Sequence, residues 1–176
     1  MNKSFKIISC INQKDAIGKD GGLLYHIGGD LKNFKNMTTN NVIVMGKKTF
    51  LSLPDGNPLP NRVNIVITSD VEFSVDASFD NVYIVHSIDE AVILCETLFS
   101  HLEWFVIGGG SIYSQFLELD LVDTMYLTLV NDDADGDVFF PDTYKDESKW
   151  KTFYKSYTQR HRPEDMTYIF EILKRK

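Results

Sequence analysis

The sequence predicts an α/β fold: a single domain with a mainly parallel central sheet, flanking helices and a C-terminal antiparallel hairpin. Short apolar runs, which are typical of buried parallel strands, alternate along the chain with segments of helical periodicity. Gly- and Pro-rich stretches separate these segments. The 176 residues are 43% hydrophobic and 24% charged, so one domain covering residues 1–176 has enough apolar surface for a full core.

The strands are predicted from apolar runs rich in β-branched and aromatic residues. These runs cover residues 5–11, 42–45, 63–68, 82–85, 104–107 and 125–130. In the tail, apolar residues alternate over 150–157 and 167–173 around a polar turn at 160–165. This alternation predicts the antiparallel hairpin and places it at one edge of the sheet.

Helices are predicted between these strands. They cover residues 30–38, 47–53, 88–98 and 111–119. The third has a capping box, because Ser87 is followed three residues later by Glu90. Residues 12–20 predict a turn, 54–60 a stiff proline-rich loop and 70–81 a long surface loop.

Composition argues against several classes of protein. No apolar run approaches the roughly 20 residues of a membrane helix, and residues 1–6 lack a signal-peptide layout, so we expect a cytosolic protein and, by default, a monomer. The net charge is −7, with no Lys/Arg run longer than two before the last three residues, which argues against a nucleic-acid surface. Cys10 and Cys95 are predicted to be buried thiols outside any disulfide. Neither they nor the four histidines have metal-ligand spacing, so no metal is predicted.

Asp30 is the acidic residue of the Gly-rich segment 27–35. If this segment begins a helix, Asp30, Leu31 and Phe34 share one face. One hypothesis is that Asp30 is an N-cap, where Asp is favoured and the helix dipole stabilises its charge. The other is a functional carboxylate, because an acid beside Leu and Phe on an inward face costs free energy unless it is paired or used.

Two strand-to-helix turns are candidates for phosphate binding, because a helix N-terminus offers unpaired N–H groups. The segment 46–49 resembles the end of a P-loop, but Asn41 replaces the Gly that this motif needs, so nucleoside triphosphatase activity is rejected. The segment 107–113 has Tyr113 in place of the third Gly of a dinucleotide fingerprint. Arg62, which precedes a core strand, suits a carboxylate ligand. Packing or surface roles remain open for all three.

Together these segments resemble the dihydrofolate reductase family over residues 5–173. No single motif decides the resemblance, but the ordered set at matching spacing is specific. The matching residues are Ile17-Gly18, Asp30-Leu31 with Phe34-Lys35, 44–50, 52–54, 58–62 with 64–66, 107–110 with Tyr113, 127–128, 136–137 and 139–141.

The resemblance implies NADPH-dependent reduction of 7,8-dihydrofolate to 5,6,7,8-tetrahydrofolate, a step that supports one-carbon and thymidylate metabolism. A hydride would move to pterin C6 and a proton to N5. Asp30 matches the carboxylate that holds the pterin 2-amino and N3 groups, and Thr128 matches the residue that hydrogen-bonds it. Tyr25 stands where many relatives have a Trp that organises a water near this carboxylate. Dihydrofolate and antifolates are the implied ligands.

The resemblance also implies two sets of binding residues. Those for the substrate are Ile8, Leu31, Phe34, Leu53, Leu59, Arg62, Ile107 and Tyr113, with Ile8 and Ile107 acting through backbone carbonyls and Arg62 through the α-carboxylate of the glutamate tail. Those for NADPH are Ile17, Gly18, Gly46, Lys47, Lys48, Thr49, Ser69, Gly108, Gly109, Gly110, Ser111 and Ile112.

Two departures from the family pattern have predicted consequences. Lys47 stands where many relatives carry Arg against the 2′-phosphate, and a point charge cannot make the bidentate contact, so a less strict preference for NADPH over NADH is expected. Leu24 and Tyr25 replace a Pro-Trp pair, which, with the nearby glycines, predicts a mobile lid. Gly136-Asp137 matches a loop that braces this lid.

Two other hypotheses compete with this interpretation. A reductase of another pterin or of a deaminated pyrimidine is disfavoured by Arg62, whose position needs a ligand with a carboxylate tail. A non-catalytic pterin- or nucleotide-binding protein is disfavoured by the joint presence of Asp30, Thr128 and Tyr113.

Overall fold

Strands form where the apolar residues are densest, and helices occupy the connections between them. The structure is a computed structural model that describes residues 4–163 and 165–176. Positions 1–3 of the N-terminal segment and position 164 of the predicted polar turn lie outside the described residues.

The predicted strands and helices occur in the predicted order with shifted ends, and short strands that were not predicted lie between them. The strands are β1 (Phe5–Ile11), β2 (Ala16–Lys19), β3 (Gly22–Leu23), β4 (Val42–Gly46), β5 (Val63–Ile67), β6 (Val82–Val85), β7 (Trp104–Gly108), β8 (Val122–Val130), β9 (Val138–Phe139), β10 (Trp150–Lys155), β11 (Gln159–His161) and β12 (Met166–Arg175). The helices are α1 (Gly28–Thr38), α2 (Lys47–Leu51), α3 (Ile88–Leu98) and α4 (Gly110–Glu118).

The main sheet has the strand order β10-β12-β8-β1-β7-β4-β5-β6, with β11 paired to β12. The pairs from β8 to β6 are parallel, whereas β12 runs antiparallel to β8, β10 and β11. The predicted fold class is therefore confirmed, including the antiparallel strands at one edge. Residues 160–161 of the predicted polar turn belong to the strand β11.

The two faces of the sheet carry separate apolar clusters, because successive side chains of a strand point to opposite sides. Val42 and Val44 of β4 belong to a large cluster with residues of α3 and α4, and Ile43 and Met45 belong to a second cluster with Phe50 of α2. Phe34 of α1 packs against the second cluster. The second face therefore holds the helix that contains Asp30.

Local signals located α3 well. The Ser87 hydroxyl accepts a hydrogen bond from the Glu90 backbone N–H at 3.1 Å, and the Glu90 carboxylate accepts one from the His86 N–H at 2.7 Å. The prediction that Ser87 caps this helix is confirmed, whereas Glu90 bonds to the N–H of His86 and not to that of Ser87, as a capping box requires. The predicted loop at 70–81 is also confirmed, since the structure assigns it neither helix nor strand.

The prediction of a turn over 12–20 is wrong in its second half. Ala16–Lys19 forms β2, which pairs with β3 and with β9 in a small antiparallel sheet. The pairing joins Ala16 to Phe139, so its stabilising partner lies far along the chain. The sequence pattern within 12–20 therefore gives no indication of this pairing.

The two cysteines differ in their surroundings. Neither Cys10 nor Cys95 forms a disulfide, as predicted. Cys95 is on the buried side of α3, whereas Cys10 is only partly buried. The prediction of burial therefore holds for Cys95 and is wrong for Cys10, which lies on β1 near Asp30.

Candidate active site

Asp30 is joined to the centre of the sheet through Thr128. The Thr128 hydroxyl on β8 donates a hydrogen bond to Asp30 Oδ1 at 2.5 Å. Helix α1 begins at Gly28 after Ile27, and no side chain caps it. Asp30 is therefore the third residue of the helix and faces the sheet. The hypothesis that Asp30 is an N-cap is wrong.

The environment of Asp30 favours its protonated form. Burial raises the pKa of the Asp30 carboxyl above its usual value, and the hydrogen bond from Thr128 opposes part of that rise. The charge of Asp30 acts on its neighbours as well. Burial, followed by the Asp30 charge, raises the pKa of the Cys10 thiol. A group held in this way is typical of a functional site.

Apolar side chains of the second cluster lie on the face of the sheet that holds α1, the helix of Asp30. Phe34, Leu53, Leu59 and Ile107 are partly buried around a core that includes Ile8. These residues come from β1, α1, β7 and two connecting loops, and the structure brings all five together. Leu31 lies outside the three apolar clusters and is 39% exposed, so its side chain is available to a ligand.

Tyr113 and Ile8 contact each other directly. The Tyr113 hydroxyl donates a hydrogen bond to the Ile8 carbonyl oxygen at 2.9 Å. Tyr113 is buried under Gly108, where an added Cβ would lie 3.3 Å from its ring. The Ile8 carbonyl predicted to contact the substrate therefore already has one protein donor.

Arg62 is a buried residue rather than a surface arginine. It is 7% exposed. Its Nε donates to the Thr38 hydroxyl at 2.8 Å and its Nη1 to the Pro60 carbonyl at 3.0 Å, while Cζ lies 5.9 Å from the centre of the Phe34 ring. Among the described residues, Nη2 has no hydrogen-bond partner and is the donor left for a ligand.

The hydrogen bonds of Tyr25 connect it to the lid rather than to Asp30. Its hydroxyl donates to Asp132 Oδ2 at 2.5 Å and accepts from Asn12 Nδ2 at 3.0 Å. The ring packs with Ile27 and Tyr168 in a third apolar cluster. Tyr25, at the end of the segment 12–25, is thus connected to Asn12 at its start and to Asp132 in the loop after β8.

A second contact braces the same segment. The Asp20 N–H donates to Asp137 Oδ2 at 2.9 Å, and the Asp137 N–H donates to the Gly18 carbonyl at 3.0 Å. The expected contact between the lid and Gly136-Asp137 is therefore present. Ile17 and Gly18, both predicted to bind the cofactor, lie on β2 in this braced segment.

The remaining cofactor residues lie at the carboxyl ends of three neighbouring strands. Met45 is paired with Gly108, and Gly46 with Ile67, so the ends of β7, β4 and β5 are adjacent. In open α/β sheets ligands bind outside these ends. The predicted residues found there are Gly46, Lys47, Lys48, Thr49, Ser69, Gly108, Gly109, Gly110, Ser111 and Ile112.

The turn at Gly108–Gly110 fits a phosphate-bearing cofactor. An added Cβ on Gly110 would lie 2.5 Å from the Phe139 carbonyl oxygen, and one on Gly109 would lie 3.4 Å from Thr49 Oγ1. Helix α4 starts here without a side-chain cap and without an acidic residue in its first turn. Its first N–H groups therefore favour an anion, with the Thr49 hydroxyl beside them.

Metal-binding clusters and membrane-spanning helices are both absent from the described residues. In the described ranges 4–163 and 165–176, no group of His, Cys, Asp and Glu side chains is arranged to hold a metal ion. None of the helices in the same ranges has the length and apolar character needed to cross a membrane.

Comparison with known proteins agrees with this geometry. The family model described as dihydrofolate reductase matches residues 4–175. The chain belongs to the dihydrofolate reductase family. It is 38% identical over 170 residues to the dihydrofolate reductase of Bacillus subtilis (strain 168), covering 95% of this chain and 92% of that protein. It is 35% identical over 169 residues to the enzyme of Staphylococcus haemolyticus, covering 96% and 94%.

A solved structure extends the comparison to three dimensions. Dihydrofolate reductase from Enterococcus faecalis, complexed with NADP(H) and RAB-propyl, superposes with a TM-score of 0.83 at 27% identity, over 100% of this chain and 98% of that one. The predictions of a dihydrofolate reductase fold and of an oxidoreductase of this family are confirmed.

Sequence reasoning missed several residues that hold the predicted site residues in place. Asn12 and Asp132 bond to Tyr25, and Thr38 bonds to Arg62. Asn64 exchanges two hydrogen bonds of 3.0 Å with the Leu59 backbone and is fully buried. An amide inside the apolar run 63–67 was a usable signal, because a buried polar group needs partners. The others depend on contacts that local sequence does not reveal.

We expect Asp30→Asn to raise the free energy of unfolding at neutral pH. The folded-state pKa of Asp30 lies above its unfolded value, so the native protein loses stability as the pH rises between the two. Asn stays neutral and keeps an acceptor for Thr128. The gain should vanish below a pH of roughly 4, the unfolded pKa.

Denaturant unfolding at neutral and acid pH measures this effect. Asp89→Asn is the matched control, because Asp89 is an exposed acid in the first turn of α3, and it should bring no gain. A loss of stability in Asp30→Asn at neutral pH would show that the charge of Asp30 stabilises the fold.

We expect Tyr25→Phe to loosen the lid. The change removes one donor and one acceptor from a buried network, which costs about 1–2 kcal/mol of unfolding free energy. Amide exchange at Leu24 and Asp20, whose N–H groups bond to Ile17 and Asp137, should accelerate. Tyr157→Phe, at a ring that is 92% exposed, is the control. Unchanged amide exchange in Tyr25→Phe would show that the Tyr25 hydroxyl does not hold the lid in place.

Proposed function

We propose that this chain reduces 7,8-dihydrofolate to 5,6,7,8-tetrahydrofolate with NADPH as the reductant. The observation that carries the proposal is the Asp30 carboxyl, hydrogen-bonded by Thr128 and carried by a helix whose Phe34 packs against the second apolar cluster. Family membership and the NADP(H) in the related Enterococcus faecalis structure support the choice of cofactor.

Asp30 is assigned to the pterin ring. A carboxylate accepts hydrogen bonds from two neighbouring N–H groups, and the pterin 2-amino and N3 positions present such a pair. Thr128 donates to Oδ1 and fixes the orientation of the carboxyl. Burial raises the pKa of Asp30, which helps the site to hold a proton near N5 when that atom must be protonated.

The substrate walls and Arg62 are assigned to the rest of the molecule. Phe34, Leu53 and Leu59 suit a flat aromatic ring because they are apolar and only partly buried. Arg62 is fixed through Nε and Nη1, so the remaining Nη2 donor is presented in one orientation. A buried guanidinium favours an anionic ligand such as the glutamate carboxylate of a folate.

NADPH, when bound, supplies the hydride. We assign its phosphates to the ends of β4, β5 and β7, where Lys47, Lys48, Thr49, Ser69 and the turn at Gly108–Gly110 offer donors. Ile17 and Gly18 in the braced lid are assigned to the nicotinamide side and exclude water there. We assign the active unit to a single chain. Sedimentation at assay concentration tests this.

The test of the proposed function is NADPH oxidation with and without dihydrofolate. We expect Asp30→Asn to lower turnover at neutral pH at least ~100-fold, the scale of general acid–base catalysis. The variant keeps the Thr128 contact, so the loss should occur without unfolding. Asp89→Asn is the control and should retain turnover. Wild-type turnover in Asp30→Asn would remove Asp30 from the chemistry.

We expect Arg62→Leu to weaken folate binding at least ~10-fold, because a charged hydrogen bond to the tail is lost. NADPH affinity should change less than twofold. Titration with each ligand, followed by fluorescence, measures both affinities. Arg160→Leu is the control at an exposed arginine. An equal loss of both affinities would contradict the assignment, and unchanged folate affinity would favour a pterin without a carboxylate tail.

A further inference from the structure

Lys47 is paired with a carboxylate at the cofactor end of the sheet. Its ammonium Nζ lies 2.5 Å from Asp70 Oδ2 and 4.9 Å from the centre of the Phe73 ring. Phe73 in turn packs edge-on against the buried ring of Phe50. The lysine that the family resemblance assigns to the 2′-phosphate is therefore held between an acid and an aromatic ring.

The Asp70 carboxylate is fixed in place by its own loop. Its Oδ1 accepts a hydrogen bond from the Glu72 N–H at 3.0 Å, and its N–H donates to the Thr68 hydroxyl at 3.1 Å. The bond from Lys47, then that from Glu72, lowers the pKa of Asp70, so the group is ionised at neutral pH. Moving it away from Lys47 would break these contacts.

The position of Asp70 relates it to the adenosine ribose. It follows β5, whose last residue Ile67 is paired with Gly46 directly before Lys47. In dinucleotide sites, an acidic residue beyond a neighbouring strand accepts a hydrogen bond from the ribose 2′-hydroxyl, whereas cations accompany a 2′-phosphate. Lys47 and Asp70 place one group of each kind at the same point.

We propose that Asp70 determines cofactor specificity by competing with a ribose 2′-phosphate for Lys47, which narrows the preference for NADPH over NADH. The proposal rests on the proposed function, because it needs a dinucleotide at these strand ends. The pair has no net charge, so a dianionic phosphate gains less there than beside an unpaired lysine. The same carboxylate accepts a bond from the 2′-hydroxyl of NADH.

The fixed position of Lys47 limits its ability to bind Asp70 and a phosphate at the same time. An ammonium has three donors, and one of them already points at Asp70. Contact with Phe73 covers another side of the ammonium group. A phosphate that reaches Lys47 therefore approaches Asp70 as well, and the two negative groups repel each other. Lys48 is exposed and supplies the less confined charge.

Binding of nucleotide fragments to the whole protein tests the proposal without turnover. Adenosine 2′,5′-bisphosphate and adenosine 5′-monophosphate, titrated by calorimetry at low salt, differ only at the 2′ position. We expect Asp70→Asn to tighten the bisphosphate about five- to tenfold and to leave the monophosphate within twofold. Asn keeps the acceptor for Glu72, so the loop should stay folded.

Two controls isolate the effect of Asp70. Asp76→Asn changes the net charge equally in the same loop, where Asp76 is exposed and accepts from the Ser78 N–H, and it should leave both affinities unchanged. In a Lys47→Met background, Asp70→Asn should alter bisphosphate affinity less than twofold. If Asp70→Asn still tightens bisphosphate binding in this background, the effect comes from the overall electrostatic field and not from Lys47. That result would overturn the proposed competition.

The other outcomes are also decisive. Weaker binding of the bisphosphate to Asp70→Asn would mean that Asp70 orients Lys47 for the phosphate, and an unchanged ratio would mean that it plays no part. Either result overturns the inference about Asp70. If the wild type still binds NADPH, the proposed function stands. A wild type that binds neither fragment nor NADPH would remove both.

Discussion

The position of helix α1 on the sheet is the constraint on which the rest of the structure depends. Polar contacts fix it at both ends, through the bond from Thr128 to Asp30 and the bond from Arg62 to Thr38. Phe34 lies between these contacts and beneath the guanidinium. Because the acid, the aromatic ring and the partner of the arginine recur along one helical face, a shift of the helix would move all of them together.

The surroundings of Asp30 make its charged form costly for stability. The carboxyl is partly buried, its pKa is raised, and one hydroxyl contact offsets part of the cost. A neutral amide of the same shape would satisfy Thr128 without that cost. The proposed reaction explains why an acid is present instead of an amide, because it needs a proton donor or an anionic acceptor at this position. The lid acts in the same region through a separate network, since Tyr25 bonds to Asn12 and Asp132.

At the other end of the site, charge is balanced locally. The chain carries a net charge of −7, yet the ends of β4, β5 and β7 present lysines, hydroxyls and the N-terminus of α4. A local cluster of positive groups attracts a phosphate despite the overall sign. Asp70 is the exception in this cluster, and its contact with Lys47 makes the local positive field weaker than the lysines alone suggest.

The sequence by itself determined the long strands of the main sheet and the helices between them, because these are specified by local periodicity or by a local cap such as Ser87. Its ordered motifs also indicated the family and brought Asp30, Thr128, Arg62 and the glycine turn to attention. Only the tertiary structure decided the pairing of Ala16 with Phe139 and of Tyr25 with Asp132. It likewise decided that Asp30 bonds to a residue 98 positions away instead of capping its helix. Such contacts depend on how distant segments meet in space, and local propensity contains no information about that meeting.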